Sequence, residues 1–276
     1  MQNEEKAPFQ PVQPYFVTSC SRYQQRAVYK NGISQIYQYC LDDPAEHGTV
    51  AVPDGCVDIV FDCTDSRVQA EVIGTVLAHR LIPTEKNHTY FGVRFLPGVS
   101  PQLLTVPVQE LTEVRTDLQN ILRDETLCER MAEAATFEKR AQVFLQVNRR
   151  VQVEQPGSCG SQALFCAVRK KIYHSDGCVT IGQLQEETGY SERYISRVFH
   201  EVSGISPKTF CGIVQFQRLM ADLCYHPDTQ LTQLAADYGY YDQPHFIRQF
   251  KKYTGLAPNV CRRLVKSYAG RIVPQN

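Results

Sequence analysis

A chain of 276 residues is long enough for two domains of ordinary size, each with its own buried core. Hydrophobic residues make up 43% of the chain and 29 Lys and Arg balance 29 Asp and Glu, which excludes an intrinsically disordered protein. The polar start MQNEEKAPFQ has no signal-peptide pattern, and no apolar run approaches the roughly 18 residues of a membrane-spanning helix. We therefore expect a cytoplasmic protein with no membrane partner.

The neutral total hides a difference between the two halves. Residues 151–276 carry 14 Lys and Arg against 10 Asp and Glu, a net charge of +4, which leaves −4 for residues 1–150. A mildly basic half permits a polyanionic partner without requiring one, since nucleic-acid-binding domains are often more basic.

Eleven cysteines are scattered along the chain without a C-x-x-C pair. Without a secretion signal, they are typical of reduced thiols packed as small apolar groups. A zinc site built from Cys224, His226 and Cys261 would match no familiar ligand spacing, and a redox role for Cys56 or Cys63 has no stronger support. We therefore expect no metal and no cofactor.

Residues 33–95 carry strand patterns. They are ISQIYQYCL from 33, the alternation of Val57, Ile59 and Phe61, RVQAEVIGTVLA from 67, and the alternation of Phe91, Val93 and Phe95. PDG at 53–55 predicts a turn. The segment therefore predicts a small β-rich body.

From about residue 101 the hydrophobic period becomes helical. Steps of three and four separate Val108, Leu111, Val114, Leu118 and Leu122 after Pro107, and the pattern recurs at Phe137, Ala141, Phe144 and Leu145. We expect these helices either to close the first core or to pair with another copy of the protein. The Gly, Ser, Pro and Gln of VEQPGSCGSQ at 153–162 then predict a domain boundary.

One segment of the C-terminal half occurs twice. IGQLQEETGY at 181–190 aligns with LTQLAADYGY at 231–240 at an offset of 50, and one inserted residue after the glycine makes the offset 51. The pairs beyond it are Ile195 with Phe246, Phe199 with Phe250, Gly204 with Gly255 and Pro207 with Pro258. Two copies of one supersecondary unit are therefore predicted.

Each copy has the pattern of a helix, a Gly-Tyr turn and a second helix. In the first copy, Thr180 and Gln183 predict a capping box and Ser191 predicts the start of the second helix. In the second copy, Asp242 has that capping role and Pro244 falls in the first turn. The apolar stripes are Ile195, Val198 and Phe199 in the first copy, and Phe246 and Phe250 in the second.

The remaining surface of each second helix is polar and cationic, which suits the DNA major groove, where Arg can contact guanine and Gln adenine. The helix predicted from Pro207 to about Cys224 would span ~27 Å, near the ~34 Å between successive major-groove faces. One chain could therefore contact two adjacent grooves. Ordinary helical hairpins with solvated cations, or helices that bind a partner protein, are the alternatives.

GYSERYISRVFHEVSGISP and LAADYGYYDQPHFIRQFKKYTGLAP resemble the two recognition segments of the AraC/XylS family of bacterial transcription regulators. The resemblance covers about residues 164–265. It implies an α+β chain with a sensing or dimerisation domain at 1–152, a linker at 153–163, and a double helix-turn-helix domain at 164–276. It also implies double-stranded DNA and RNA polymerase as partners.

The same resemblance implies base or groove contacts from one set of residues and phosphate contacts from another. The first set is Arg193, Ser196, Arg197, Gln243, His245 and Arg248; the second is Lys251 and Lys252. Gln185 stands where the family usually has alanine, and Gln215 where its linker helix usually has arginine. We therefore expect the first unit to pack less tightly or to contribute less affinity.

PDGCVDIVFD and FGVRFLPG are similar to a β-rich domain found ahead of this DNA-binding module, and effector domains of the family are often cupin-like. This implies control by a small-molecule effector or a homodimer. Asp58 and Arg94 are candidate effector-binding residues; the alternative is that both are exposed charges on the polar face of edge strands.

An enzyme is the competing class. A cupin metal site needs clustered His and carboxylate ligands, whereas this region has His47, His79 and His88 without an H-x-H pair. Alkyl-transferring repair proteins share the DNA-binding module but need a zinc-bound cysteine cluster, which Cys20 and Cys40 alone cannot supply. We therefore predict a transcription regulator rather than an enzyme.

Overall fold

A computed structural model describes residues 9–15, 20, 22–41, 49–99, 101–153 and 160–267. His47 and residues 154–159 of the predicted linker, with Cys159, lie outside these ranges. The strands are β1 (Arg22–Lys30), β2 (Ile33–Cys40), β3 (Thr49–Ala51), β4 (Asp58–Asp62), β5 (Gln69–Ile73), β6 (Arg80–Ile82), β7 (Thr89–Phe95) and β8 (Arg115–Asp117). The larger antiparallel sheet has the order β1-β2-β7-β4-β5-β8, and the smaller one pairs β3 with β6.

Apolar side chains cover both faces of the larger sheet at its centre. Ile59, Phe61 and Val93 lie in one buried cluster, and Tyr37 and Val60 lie in another on the opposite face. The four sequence segments predicted as strands contain β2, β4, β5 and β7, so that part of the prediction is confirmed. Gly55, with a φ of +77°, makes the predicted bend between β3 and β4.

The predicted helix from about residue 101 is wrong. Residues Val108–Leu111 form a 3₁₀ turn, Arg115–Asp117 form β8, and Glu113 between them has a left-handed φ of +61°. Val108 and Leu111 are buried as the spacing requires, but Val114 is exposed. Short turns followed by an edge strand can therefore satisfy a helix-like spacing of apolar residues.

Two helices follow, α1 (Leu127–Glu133) and α2 (Phe137–Val153). Ala141, Phe144 and Val147 of α2 pack into the same buried cluster as Phe61 and Phe95 of the sheet. The Phe144 ring lies 6.0 Å from that of Phe61 in an edge-to-face contact. This helix therefore closes the first core, as one of the two sequence expectations proposed.

The remaining helices are α3 (Gly160–His174), α4 (Ile181–Thr188), α5 (Glu192–Ser203), α6 (Pro207–Tyr225), α7 (Leu231–Asp237), α8 (Gln243–Thr254) and α9 (Pro258–Ser267). They share one apolar core centred on α6. Because α3 begins at Gly160, the end of the predicted linker is helical.

The N-terminal segment packs onto these C-terminal helices. Phe9 and Tyr15 are buried in their apolar core, and the Phe9 ring stacks on Tyr173 of α3 at 4.6 Å. The Tyr15 hydroxyl donates a hydrogen bond of 2.9 Å to the carbonyl of Thr254 at the end of α8. The two parts of the chain on either side of the predicted linker at 153–163 are therefore in contact with each other.

Candidate nucleic-acid interface

The first helix-turn-helix unit consists of α4 and α5, and its ends are capped as predicted. Thr180 and Gln183 form the capping box of α4, and Gly189 has the left-handed φ of +73° that ends it. The Ser191 side chain accepts a hydrogen bond from the Tyr194 main-chain N–H at 3.3 Å and so begins α5. These caps fix the turn that presents α5.

Gln185 ties the two helices of this unit together. It is exposed on α4, and its Oε1 accepts a hydrogen bond from the Glu192 main-chain N–H at 3.3 Å. The side chain thus satisfies one free N–H at the start of α5. Glutamine at position 185, where the family usually has a small alanine, therefore supplies a polar contact in the turn.

The second unit, α7 and α8, has equivalent caps. Asp242 accepts a hydrogen bond from the His245 main-chain N–H at 2.6 Å, and Pro244 occupies the first turn without loss of a helical hydrogen bond. Phe246 and Phe250 are buried, with ring centroids 5.5 Å apart in an edge-to-face contact. These two rings anchor the inner side of α8.

The other positions of α8 divide into two flanks and a ridge. His245 and Gln249 line a cleft of about 490 Å³ against α6. Gln243, Ile247 and Lys251 line a second cleft, of about 560 Å³, against α7 and α9. Pro244, Arg248 and Lys252 follow one another at steps of four and form the exposed ridge between the flanks.

The predicted DNA-contacting side chains are almost all accessible. Exposed are Arg193, Arg197, Gln243, His245, Arg248, Lys251 and Lys252, while Ser196 is half-buried. In α5, Arg193 and Arg197 lie one turn apart on the side away from the buried stripe. In α8, Arg248 and Lys252 lie on the exposed ridge, whereas Gln243 and Lys251 lie on one flank and His245 on the other.

The two recognition helices differ in charge. α8 contains Arg248, Lys251 and Lys252 and no acidic residue, whereas Arg193 and Arg197 of α5 are balanced by two glutamates. Arg197 Nη1 lies 3.4 Å from Oε1 of Glu201, one helical turn further on. The cationic character predicted for both helices therefore holds only for the second.

An aromatic stack accompanies this ion pair on the first unit. The exposed Tyr190 ring stacks on Tyr194 at 5.1 Å, and the Arg197 guanidinium lies 5.0 Å from the Tyr194 ring. A guanidinium over an aromatic face is attracted by its quadrupole. Tyr194 and Glu201 together restrict the position of Arg197.

The long helix α6 joins the units. It begins at the Ser206 cap with Pro207 in its first turn, and its 19 residues span about 28 Å. On the side facing the cleft, Gln215 Nε2 lies 3.8 Å from the Cys178 sulfur, at the position where the family usually has arginine. The helix therefore has the length that the sequence predicted.

Asp58 and Arg94, the candidate effector residues, lie on the two central strands β4 and β7 and face each other. Arg94 Nε donates to Asp58 Oδ1 at 2.9 Å, and Nη2 donates to Oδ2 at 2.9 Å. The two side chains are 3% and 13% exposed. The expectation of exposed charges on edge strands is therefore wrong.

Burial by itself lowers the pKa of the Arg94 guanidinium, but the carboxylates of Asp58 and Asp54 reverse this and hold the pKa well above its ordinary value. Arg94 Nη1 lies 3.5 Å from Asp54 Oδ2, and the guanidinium lies 5.5 Å from the Tyr37 ring. Arg94 therefore remains charged, with its contacts supplied from within the protein.

Hydrogen bonds continue from this ion pair to α6. Asp54 Oδ2 accepts a hydrogen bond from Gln13 Nε2 at 2.8 Å. One residue earlier, the Val12 main-chain N–H donates to Gln217 Oε1 at 2.7 Å, and Gln217 Nε2 donates to the Pro53 carbonyl at 2.7 Å. A buried polar network therefore joins the sheet, the N-terminal segment and the long helix. The sequence patterns did not indicate it, because its members are far apart along the chain.

The described cysteines are free thiols, most of them buried or half-buried. Burial raises the pKa of Cys211 and Cys224 to about 12, which keeps both protonated at neutral pH. In the part of the chain that the structure describes, no group of three His, Cys, Asp or Glu is arranged to hold a metal ion.

Residues 184–264, which contain both recognition helices, match the family model described as a helix-turn-helix domain. The C-terminal half is an AraC-type helix-turn-helix domain. Ahead of the AraC-type domain, residues 30–117 match a model described as a domain of unknown function, DUF6597. That match covers most of the larger sheet.

Curated relatives of the AraC-type domain include uncharacterised HTH-type transcriptional regulators of Staphylococcus aureus strains MSSA476 and MRSA252. Each is 29% identical over 90 residues, which is 33% of this chain and 12% of the relative. The chain thus spans about an eighth of the length of the curated relatives it matches.

Two solved structures are similar at low identity. The C-terminal domain of AraT, a response regulator from Geobacillus stearothermophilus, is 24% identical over 41% of this chain and 88% of that one, with a TM-score of 0.34. ToxT from Vibrio cholerae is 9% identical over 88% of this chain and 98% of that one, with a TM-score of 0.41.

Within the described ranges, none of the helices is both long and apolar enough to cross a membrane.

Proposed function

We propose that this chain is a sequence-specific DNA-binding transcription regulator that inserts α5 and α8 into successive major grooves of one duplex. The bases would be contacted by Arg193, Ser196, Arg197, Gln243, His245 and Arg248, and the phosphates by Lys251 and Lys252. No catalytic step belongs to this proposal.

The accessibility of the N-terminal ends of α5 and α8 is the main support for this proposal. The C-terminal ends of both recognition helices contact the N-terminal half, through the carbonyl of Gly204, which follows α5, and the carbonyl of Lys252 in α8. Their N-terminal ends, which begin at Glu192 and Gln243, are exposed. Helix-turn-helix proteins contact base edges with this end of the recognition helix. The exposed N-terminal ends therefore leave this part of each helix accessible for contact with DNA.

The charge distribution supports unequal roles for the two units. Because α8 carries three cations and no carboxylate, it would supply most of the phosphate attraction. α5 is neutral overall, so its contribution would be base discrimination through Arg193 and Arg197. We also propose that the N-terminal domain exerts control through a small-molecule effector or a homodimer, and that the protein contacts RNA polymerase and acts in the cytoplasm.

Gel-shift titration of full-length protein would test the assignment, with a duplex selected by the wild type from a random-sequence pool. Arg248→Ala should cost about 1–3 kcal/mol on the selected duplex and relax preference at one position. Lys252→Ala should weaken all duplexes alike and lower the slope of log affinity against log salt by about 1.

Lys139→Ala is the matched control, because Lys139 is an exposed lysine on α2 of the N-terminal half. It should leave affinity and salt slope unchanged. If Arg248→Ala and Lys252→Ala behaved like this control, the exposed ridge of α8 would not be the DNA-contacting surface.

A further inference from the structure

The N-terminal half touches the two helix-turn-helix units at equivalent positions. Gly204 and Gly255 end α5 and α8 with a φ of +75° each, and the internal repeat aligns them with each other. Thr112 Oγ1 donates to the Gly204 carbonyl at 3.4 Å. Three residues before Gly255, the Lys252 carbonyl accepts a hydrogen bond of 3.1 Å from the His79 main-chain N–H.

The N-terminal half approaches both glycines closely. A Cβ atom on Gly204 would collide with Thr112 Oγ1 and lie 2.9 Å from Gln109 Cα. A Cβ atom on Gly255 would lie 3.0 Å from His79 Cδ2. His79 Nδ1 is also 3.0 Å from the Lys252 carbonyl oxygen, so this loop contacts α8 with both main chain and side chain.

The two contacting loops are tied to each other. Arg80, next to His79, donates from Nη1 to the Glu113 carbonyl at 2.8 Å and from Nη2 to Glu113 Oε2 at 3.0 Å. Glu113 follows Thr112 directly, and its main-chain N–H donates to the Thr75 carbonyl at 2.9 Å. These contacts therefore connect the two loops directly.

We propose that His79 and Thr112, braced by the Arg80–Glu113 pair, are positioning residues that set the separation and tilt of the two recognition helices. The proposal rests on the DNA-binding function argued above. Its consequence is that the N-terminal half, and not α6 alone, fixes how far apart two half-sites must lie on DNA. The partner is a single DNA duplex with two half-sites, one contacted by α5 and the other by α8.

The test compares three duplexes with the full-length protein. One is the duplex selected by the wild type from a random-sequence pool; the others have one base pair inserted or deleted between its half-sites. For the wild type, either change should cost about tenfold in affinity, the scale of a mismatch in a specific site. The ratio of affinities for selected and altered duplexes is the quantity to follow.

In the double variant His79→Ala, Thr112→Val, this ratio should fall to about threefold or less, because the helices can then adjust to the new spacing. Arg80→Ala should lower it in the same direction. Base preference within each half-site should remain that of the wild type. Thr112→Ser keeps the hydroxyl donor and should keep the wild-type ratio.

Arg115→Ala is the matched control. It breaks another arginine–glutamate pair of the N-terminal half, between the edge strand β8 and β5 of the larger sheet, in which Arg115 Nη2 lies 2.6 Å from Glu71 Oε2. The control should retain the spacing ratio. Circular dichroism of every variant checks that loss of spacing preference is not loss of folding.

If the double variant retained the wild-type ratio, the side chains of His79 and Thr112 would not set the spacing, and this inference would be overturned. If the wild type selected no sequence from the pool, the proposed DNA-binding function itself would fail. The two failures are therefore distinguishable in one set of measurements.

Discussion

Arg94 and Asp58 form a two-hydrogen-bond ion pair across the centre of the larger sheet, with both side chains almost wholly removed from water. A charge in such a position is tolerated only while its partner is present, because the unpaired ion would lose its hydration without compensation.

Asp58→Ala should lower the free energy of unfolding by about 3–5 kcal/mol, since it leaves the Arg94 guanidinium buried without its main counter-charge. Urea unfolding followed by circular dichroism measures the change. Glu71→Ala removes a carboxylate of a half-exposed pair on the same sheet and should cost less than about 1 kcal/mol. Equal losses in the two variants would mean that the Arg94 pair contributes no more than an exposed one.

Gln217→Leu should loosen the N-terminal segment from α6. The change leaves the Val12 N–H and the Pro53 carbonyl buried without their partner, at a cost of about 1–3 kcal/mol for each group. Faster proteolysis within residues 9–15 and a lower melting temperature should result. Gln215→Leu, on the same helix but facing the cleft, is the control and should leave the cleavage rate unchanged.

Glu201→Gln should strengthen DNA binding. It removes a negative charge from the exposed surface of α5 that carries Arg197, and it releases Arg197 from its ion pair. The expected gain is about two- to fivefold at low salt and smaller at high salt, because exposed charges are screened. Gel shifts at two salt concentrations measure it. Glu186→Gln, exposed on α4, should change affinity less; an unchanged affinity for Glu201→Gln would place this part of α5 away from the duplex.

The stability contributed by His88 should depend on pH. His88 Nδ1 lies 2.6 Å from Asp62 Oδ2, and this hydrogen bond raises the pKa of His88 above its ordinary value. A raised histidine pKa stabilises the fold below the unfolded value of about 6.5, and the contribution is lost as pH rises through the folded value.

His88→Gln should therefore destabilise the protein by less than about 1 kcal/mol near pH 5.5, and by less still near pH 8. Urea unfolding at both pH values gives the difference. A loss that grew as pH rose would contradict the assigned direction of the shift.

Local signals in the sequence predicted the helix-turn-helix units well. Ser191, Asp242 and the glycines at 189, 204 and 255 act on neighbours within a few residues, so their spacing is sufficient to define caps and turns. Apolar spacing was weaker information at Val108 and Leu111, because a 3₁₀ turn buries the same positions as an α-helix would.

Long-range contacts could not be predicted in the same way. The alternation around Asp58 and Arg94 indicates which sheet face they share, but it does not reveal that both strands are central and covered. Phe9 and Tyr15 are more than 150 residues from most of the helical core they join, and no periodicity relates segments so distant.

The matched glycines at the ends of α5 and α8 also bear on how such proteins diversify. The internal repeat places one glycine at the end of each recognition helix, whereas the loops that contact these helix ends belong to the N-terminal half. A chimera that joined the helical half to a different N-terminal domain would keep both glycines and lose the contacts made by His79 and Thr112. The chimera should then bind duplexes with a wider range of half-site separations, even though every side chain proposed to contact bases is unchanged.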